Sequence, residues 1–345
     1  MQLNFLLMEM THLRYWMPLV IEGNKRGLQS TFFVAASNKY NCPNTHAKVL
    51  KEVQDVHGIR LVLANDTDRI AAAKGVFFSS EKTGVNYIKK AVNCKKVVCT
   101  YQTDFIESYK EYENFADHVL MPSKFCAEYY KLDNDKNLYL GIPKYEVDLN
   151  REEILKKYSL SADKKYVTFI SPKSRDQAKV KSGTLMTYLD QLGYSVLFKT
   201  RGKDPVDARW KKTLSELGHH CFEDNSWYPH TTQELLEVSD FALNFGSTTI
   251  EECVMHNTPL INFDVKPAIR NGSKRPYRVT HDYLYNYNYC IQLNPQWSGD
   301  HLASQFNAAV NFLTSADLTG EFKKAKQNHL FDHKDPCKRI LDVLL

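Results

Sequence analysis

Short apolar runs alternate with segments whose apolar side chains return every three or four residues. The first pattern predicts buried strands and the second amphipathic helices. Leu3 to Met8 reads as a strand, followed by a helix carrying Trp16, Leu19, Val20 and Ile21 that ends near Arg26-Gly27. Strand Ser30 to Ala35 comes next. The rhythm continues with helix Thr45 to Val56 and strand Arg60 to Ala64, then a helix from about Asp68 and strand Gly75 to Phe78. Helix Val85 to Val92 leads to strand Lys96 to Thr100. Ala116 to Met121 and Asn137 to Leu140 predict two further strands around a helix from Ser123 to Tyr130. Helices between short β-branched strands are the signature of right-handed βαβ units and a parallel sheet.

The register changes at Gly141-Ile142-Pro143-Lys144-Tyr145, and after a charged helix from Asn150 to Tyr158 the rhythm starts again. Tyr166 to Ser171 and Ser195 to Lys199 read as strands, with helices Lys181 to Leu192, Asp207 to Leu217 and Thr232 to Val238. Two such arrays predict an α/β protein of two Rossmann-like domains facing across a cleft, with ligands at the carboxyl ends of the strands. The expected division is 1–145, 146–328 and a closing segment 329–345.

Composition adds little to this picture. With 345 residues, 43% hydrophobic and 25% charged, the chain has ordinary globular usage and room for two cores. Its formal charge of +5 suits phosphorylated ligands but is modest for a dedicated nucleic-acid binder. Eight scattered cysteines without a C-x-x-C pair suit reduced thiols rather than disulfides or zinc. The run Leu3 to Met8 is short for a signal peptide, and no segment approaches the roughly 18 apolar residues of a membrane span. A cytoplasmic location is therefore the expectation.

The candidate chemistry centres on Leu235 to Asp264. A strand, Phe241 to Phe245, turns at Gly246 into a helix opened by Ser247, Thr248 and Thr249, before a second strand, Pro259 to Phe263. Backbone N–H groups at such a helix start favour phosphate. Glu251 and Glu252, one turn in, are acceptors suited to ribose hydroxyls. The alternative is a capping box between Thr248 and Glu251. Lys173 and Arg175 follow one strand end, and Lys199 and Arg201 another, placing cations where they can neutralise a diphosphate without a metal. Either loop alone would be an ordinary solvated surface. His12, after the first strand, is a candidate general base or phosphate ligand, and Asp104, after the fifth, is the alternative base. Each has a plain structural alternative, as a helix start and as a turn former.

Gly246 to Glu252, with Pro259 seven residues after Glu252, resembles the nucleotide-sugar motif of GT-B glycosyltransferases and the related UDP-N-acetylglucosamine 2-epimerases. His12 to Gly27, with Trp16, Pro18 and Arg26-Gly27, is similar to the GT-B opening loop and first helix. Val119 to Ser123 and Gly141 to Tyr145 look like the end of the first domain in the epimerase and CDP-glycerol glycerophosphotransferase groups. Asp335 to Ile340 resembles the closing helix of the superfamily, which crosses back to the first domain. The resemblance implies a metal-independent hexosyltransferase-like enzyme that moves a sugar from a nucleotide-diphosphate donor, UDP-linked, to an acceptor hydroxyl. It implies no cofactor, since the donor is a substrate. Glu252 would bind the donor ribose, the turn its diphosphate, and Trp227 and Tyr228 would border the base, unless these aromatics only pack the surface.

Departures separate the chain from the named subfamilies. Where hydrolysing epimerases carry a His-Arg-x-Glu-Asn run, it reads Ser171-Pro172-Lys173-Ser174-Arg175-Asp176. Glu81 and Glu107 are the nearest matches to the epimerase's first-domain acids. Tyr101-Gln102 stands in place of the glycerophosphotransferase His-Gly pair. An epimerase-like activity is the alternative. A GT-A enzyme is a rival on Asp66-Thr67-Asp68 and Asp133-Asn134-Asp135, which have the D-x-D form of a cation and diphosphate site. A nucleic-acid role is another, on the basic stretch Arg270 to Arg278 and the alternating Tyr283, Tyr285, Tyr287 and Tyr289, which equally suit one face of a strand. The acceptor, whether carbohydrate, lipid-linked or nucleic acid, the stereochemical outcome and the oligomeric state stay open.

Overall fold

The computed structural model describes residues 1–8, 10–34, 44–80, 85–100, 114–129, 131–172, 181–200, 206–223, 230–263, 283–330 and 334–345. The first half alternates β1 (Gln2–Leu7), α1 (Leu13–Lys25), β2 (Gln29–Val34), α2 (Asn44–His57), β3 (Arg60–Leu63), α3 (Thr67–Ala71), β4 (Val76–Ser80), α4 (Val85–Ile88) and β5 (Lys96–Thr100). β6 (His118–Leu120), α5 (Lys124–Tyr129) and β7 (Asn137–Leu138) complete it. All neighbours pair in parallel, in the order β3-β2-β1-β4-β5-β6-β7.

The second half begins with α6 (Arg151–Lys157) and β8 (Lys165–Ile170), followed by α7 (Ser182–Gln191), β9 (Tyr194–Lys199), α8 (Ala208–Glu216), β10 (His220–Phe222), α9 (Thr231–Val238) and β11 (Phe241–Asn244). Next come α10 (Thr249–Met255), β12 (Leu260–Phe263), β13 (Cys290–Leu293), α11 (Gly299–Ser315), α12 (Thr319–Ala325) and α13 (Pro336–Leu344). Its sheet is also parallel, ordered β10-β9-β8-β11-β12-β13. Both sheets thus have the doubly wound order, with a topological switch point between β1 and β4 in one and between β8 and β11 in the other.

Burial explains why these runs are so apolar. β9 is buried at every position and β8 at all but its first, as expected for strands covered on both faces by helices. Gly75 lets β4 approach β1: its φ is +86°, and a Cβ there would sit 2.2 Å from the carbonyl oxygen of Gln2. Trp16 anchors α1 on the first sheet, donating from Nε1 to the Leu6 carbonyl at 3.2 Å. One continuous apolar cluster runs from Phe5, Trp16 and Phe78 through Ile142 to Phe169, Leu243 and Ile250, and on to Ile340, Leu341 and Leu344.

The chain crosses between the halves twice. The first crossing is a 3₁₀ turn at Pro143–Tyr145 packed on α1. The second follows the π-helical turn Lys326–Leu330 and ends in α13, which returns to α1. Arg26 holds it there, pairing with Asp342 at 2.7 Å and donating to the Lys338 carbonyl at 3.1 Å. The two crossings are tied together: the Glu146 carboxylate accepts the Cys337 N–H at 2.6 Å, satisfying one orphan donor at the start of α13.

The alternating tyrosines are not one face of a strand. Tyr283 to Tyr289 form a helical turn and tight turns, closed by Asn286 N–H to the Tyr283 carbonyl and Cys290 N–H to the Tyr287 carbonyl, both at 3.0 Å. The strand begins only at Cys290. A spacing of two recurs in successive turns as well as in strands, and here the rings of Tyr287 and Tyr289 stack with Phe322 beyond them. Seven cysteines among the described residues are free thiols, five of them buried. Among those residues no helix is long and apolar enough to cross a membrane.

Candidate functional site

The turn after β11 lies at the switch point of the second sheet, where doubly wound folds bind ligands. Gly246 takes φ +58° there, the left-handed conformation that glycine adopts at no steric cost. Two asparagines on adjacent strands brace the turn. Asn262 Oδ1 accepts the Gly246 N–H at 3.0 Å, and Asn244 Oδ1 accepts the Ser247 N–H at 3.3 Å. Asn244 Nδ2 donates to Asn262 Oδ1 at 3.1 Å, and the Tyr285 hydroxyl donates to the Ser247 carbonyl at 3.2 Å. Two N–H groups of the expected phosphate cradle are therefore used by the scaffold. A ligand would have to rely on the N–H groups of Thr248 and Thr249, the latter loosely held by Ser247 Oγ at 3.5 Å, and on the Ser247 and Thr249 hydroxyls, which lie 3.1 Å apart. Thr248 makes no side-chain cap bond, so a capping box does not account for it.

Glu251 and Glu252 are each only 3% exposed, which demands compensating partners. The first half supplies most of them. Lys144 Nζ lies 3.1 Å from Glu252 Oε1 and 3.9 Å from Glu251 Oε2, and Arg14 Nη1 lies 3.4 Å from Glu252 Oε1. His230 Nδ1, just ahead of α9, is 3.8 Å from the same Glu252 oxygen. Tyr145 donates its hydroxyl to Glu251 Oε2 at 3.0 Å. Burial pushes the Glu252 carboxyl up, but Lys144, His230 and Arg14 together outweigh it and hold the pKa down at about 2. Burial, followed by Glu251, Glu252 and Tyr15, pushes the Tyr145 phenol well up, so it stays a donor. The ammonium of Lys144 also lies over the Tyr145 ring, 4.7 Å from its centroid.

His12 ends the 3₁₀ turn Met10–His12 after β1 and precedes α1, at the carboxyl edge of the first sheet. It is buried edge-on to Trp16, and burial followed by the charge of Arg14 lowers its pKa to about 3. It is thus a neutral imidazole at physiological pH, not a cation for phosphate. Lys199, at the end of β9, is buried with its ammonium donating to the Thr200 carbonyl at 2.6 Å.

Several sequence candidates lie outside the described residues: Asp104, Lys173, Arg175, Arg201, Trp227, Tyr228, Glu81, Glu107 and the basic stretch Arg270 to Arg278. The D-x-D triplets have structural partners. Asp66 caps α3, accepting the Arg69 N–H at 3.3 Å and pairing with its guanidinium at 2.9 Å, and Asp133 accepts the Tyr139 hydroxyl at 2.5 Å. No acidic, His or Cys cluster suited to a metal occurs among the described residues.

Sequence reasoning missed Arg14, Lys144, Tyr145 and His230 as partners of the glutamates. The segment Gly141 to Tyr145 was legible as a boundary, and a lysine-tyrosine pair in an otherwise apolar crossing is the signal that could have marked it. Nothing local marks Arg14, which lies 238 positions from Glu252.

No protein-family model matches the chain, and no curated protein matches it in sequence. Solved structures do. The UDP-GlcNAc 2-epimerase from Neisseria meningitidis bound to UDP-GlcNAc superposes with a TM-score of 0.66 at 10% identity, covering 100% of this chain and 99% of its own. The wall teichoic acid polymerase TagF gives 0.66 at 15% identity, covering 99% of this chain and 87% of its own. MurG from Acinetobacter baumannii gives 0.59 at 9% identity, covering 99% and 98%. With two doubly wound parallel sheets and a last helix returned to the first half, the chain has the GT-B fold.

Proposed function

We propose that this protein is a nucleotide-sugar glycosyltransferase that moves a sugar from a nucleoside-diphosphate donor, UDP-linked, to an acceptor hydroxyl without a metal ion. The observation that carries this reading is the Glu251–Glu252 pair at the start of α10, at the switch point of the second sheet, set against residues of the first. Glu252, ionised across the physiological range, is the acceptor for ribose hydroxyls, and the Ser247–Thr249 helix start is the diphosphate end of the site. With Lys199 and, from the sequence, Arg201, Lys173 and Arg175, it would stabilise the charge that develops on the leaving diphosphate as the anomeric C–O bond breaks. His12 would take the proton of the attacking hydroxyl, with Asp104 as the alternative base.

A panel of UDP, GDP, CDP, ADP and their sugars tests this by thermal shift. A donor present at about 100 times its Kd adds about 2.7 kcal/mol and raises the melting temperature. One nucleotide family should do so, and its effect should vanish in Glu252→Ala. Silence across the panel would sink the reading. The likeness to the Neisseria meningitidis epimerase supports a second reading, which UDP-GlcNAc without acceptor tests. Formation of the 2-epimer, free or UDP-linked, favours epimerase chemistry, whereas a sugar unchanged at C2 favours transfer.

A further inference from the structure

The carboxylates in question belong to the second half of the chain, yet two of the three cationic or imidazole groups around Glu252 come from before α6. Their geometry is one-sided. Lys144 at 3.1 Å, Arg14 at 3.4 Å and His230 at 3.8 Å all make their contact with Glu252 through its Oε1. A carboxylate gripped by one oxygen cannot rotate freely, and its second oxygen keeps a fixed direction. The lysine that grips it is fixed in turn. Its carbonyl accepts from Gln233 Nε2 at 3.1 Å, Tyr15 and Tyr145 flank its ammonium, and Glu146, two residues on, is bound to Cys337. Gln233 and Lys144 are 1% and 4% exposed, so this arrangement is built into the interior rather than resting on the surface.

We propose that Lys144 is a positioning residue, assisted by Arg14, that clamps Glu252 through Oε1 so that Oε2 is presented to the vicinal hydroxyls of the donor ribose, making the site selective for ribonucleotides over 2′-deoxyribonucleotides. This rests on the nucleotide-sugar reading above. It adds that the donor site, although carried by the second sheet, is completed from the other half of the fold. The specificity follows from orientation. Two vicinal hydroxyls can donate to one carboxylate only if its plane is held still, and loss of the 2′-hydroxyl leaves a buried acceptor without its donor. Tyr15, Tyr145, His230 and Glu251 are the other polar groups around this carboxylate, and none of them replaces a lysine that touches both glutamates.

The test is calorimetric titration of the best nucleoside diphosphate from the panel and of its 2′-deoxy counterpart. It is carried out on the parent, Lys144→Met, Lys144→Arg and Arg14→Gln. In the parent, the ribonucleotide should bind about tenfold more tightly or better, the discrimination one charge-assisted hydrogen bond supports. In Lys144→Met the ratio should fall towards one, and Lys144→Arg should restore it. A lysine that only holds the halves together would weaken both ligands alike, so an unchanged ratio in Lys144→Met overturns the proposal. So does a parent that binds both nucleotides equally. If Lys144→Met does not fold, Arg14→Gln decides, because its side chain is 21% exposed and easier to lose. Its ratio should fall, and an unchanged one counts against the clamp. A parent that binds neither nucleotide refutes the nucleotide-sugar reading itself, a distinct result.

Discussion

Glu252 and His12 sit close to the same guanidinium, Arg14, and titrate far from their ordinary values for opposite balances of the same forces. For Glu252, cations outweigh burial and the folded pKa of about 2 lies below the 4.5 of the unfolded group. The unfolded chain therefore takes the proton first, and this stabilisation is complete above about pH 5 and lost as pH falls towards 2. For His12, burial dominates and the folded pKa of about 3 lies below the ordinary 6.5. Acidification through the window from about 6.5 to 3 again favours the unfolded chain, here because the buried imidazole resists charge. Between pH 7 and pH 5 this single histidine should account for about 2 kcal/mol of lost stability. Urea unfolding at the two pH values checks it: His12→Gln should remove most of that difference, whatever it does to stability at pH 7. A slope identical to the parent's would show that His12 is solvated and ordinary.

The turn between β11 and α10 depends on side chains from two strands, and that makes it a testable unit. Asn262→Ala removes the acceptor of the Gly246 N–H and the partner of Asn244. The net contribution of such a hydrogen bond is about 0.5–1.5 kcal/mol. Denaturation should show that loss, and nucleotide affinity should fall with it, because the helix start would no longer be held in its binding shape. An Asn262→Ala protein with the parent's stability and affinity would mean the turn is set by Gly246 alone. At this scale the sequence was legible wherever burial and chain-local geometry coincide. The apolar run Phe241 to Phe245, the glycine and the hydroxyl residues mark strand, turn and helix, and the structure places them so. Tyr283 to Tyr289 were illegible because their partners, Ser247, His329 and Phe322, are remote in sequence. Only those contacts separate a series of turns from a strand with the same spacing.

Across the whole molecule the two sheets share their largest apolar cluster, beside a smaller one confined to each half. The largest apolar cluster includes Phe5 and Trp16 of the first half, Phe169 and Leu243 of the second, and Ile340, Leu341 and Leu344 of α13. Calorimetry should therefore show one cooperative unfolding transition. Ile340→Ala, which empties a fully buried position on α13, should lower stability by about 2–5 kcal/mol and move that transition as a whole. Two resolved transitions, with only one shifted, would mean that the halves fold independently despite the shared core.

The sequence by itself determined the two series of parallel βα units, the strand-turn-helix at Gly246 and the candidacy of Glu251 and Glu252. Each follows from periodicity or from neighbours along the chain. Tertiary structure alone decided what those glutamates meet. Arg14, Lys144 and Tyr145 reach them only because the crossing at Pro143–Tyr145 and the start of α1 are folded against α10, and His230 because α9 packs beside it. Hydrophobic patterning fixes which face of an element is buried, but not which distant element covers it. The charge on a buried carboxylate is set by that second choice.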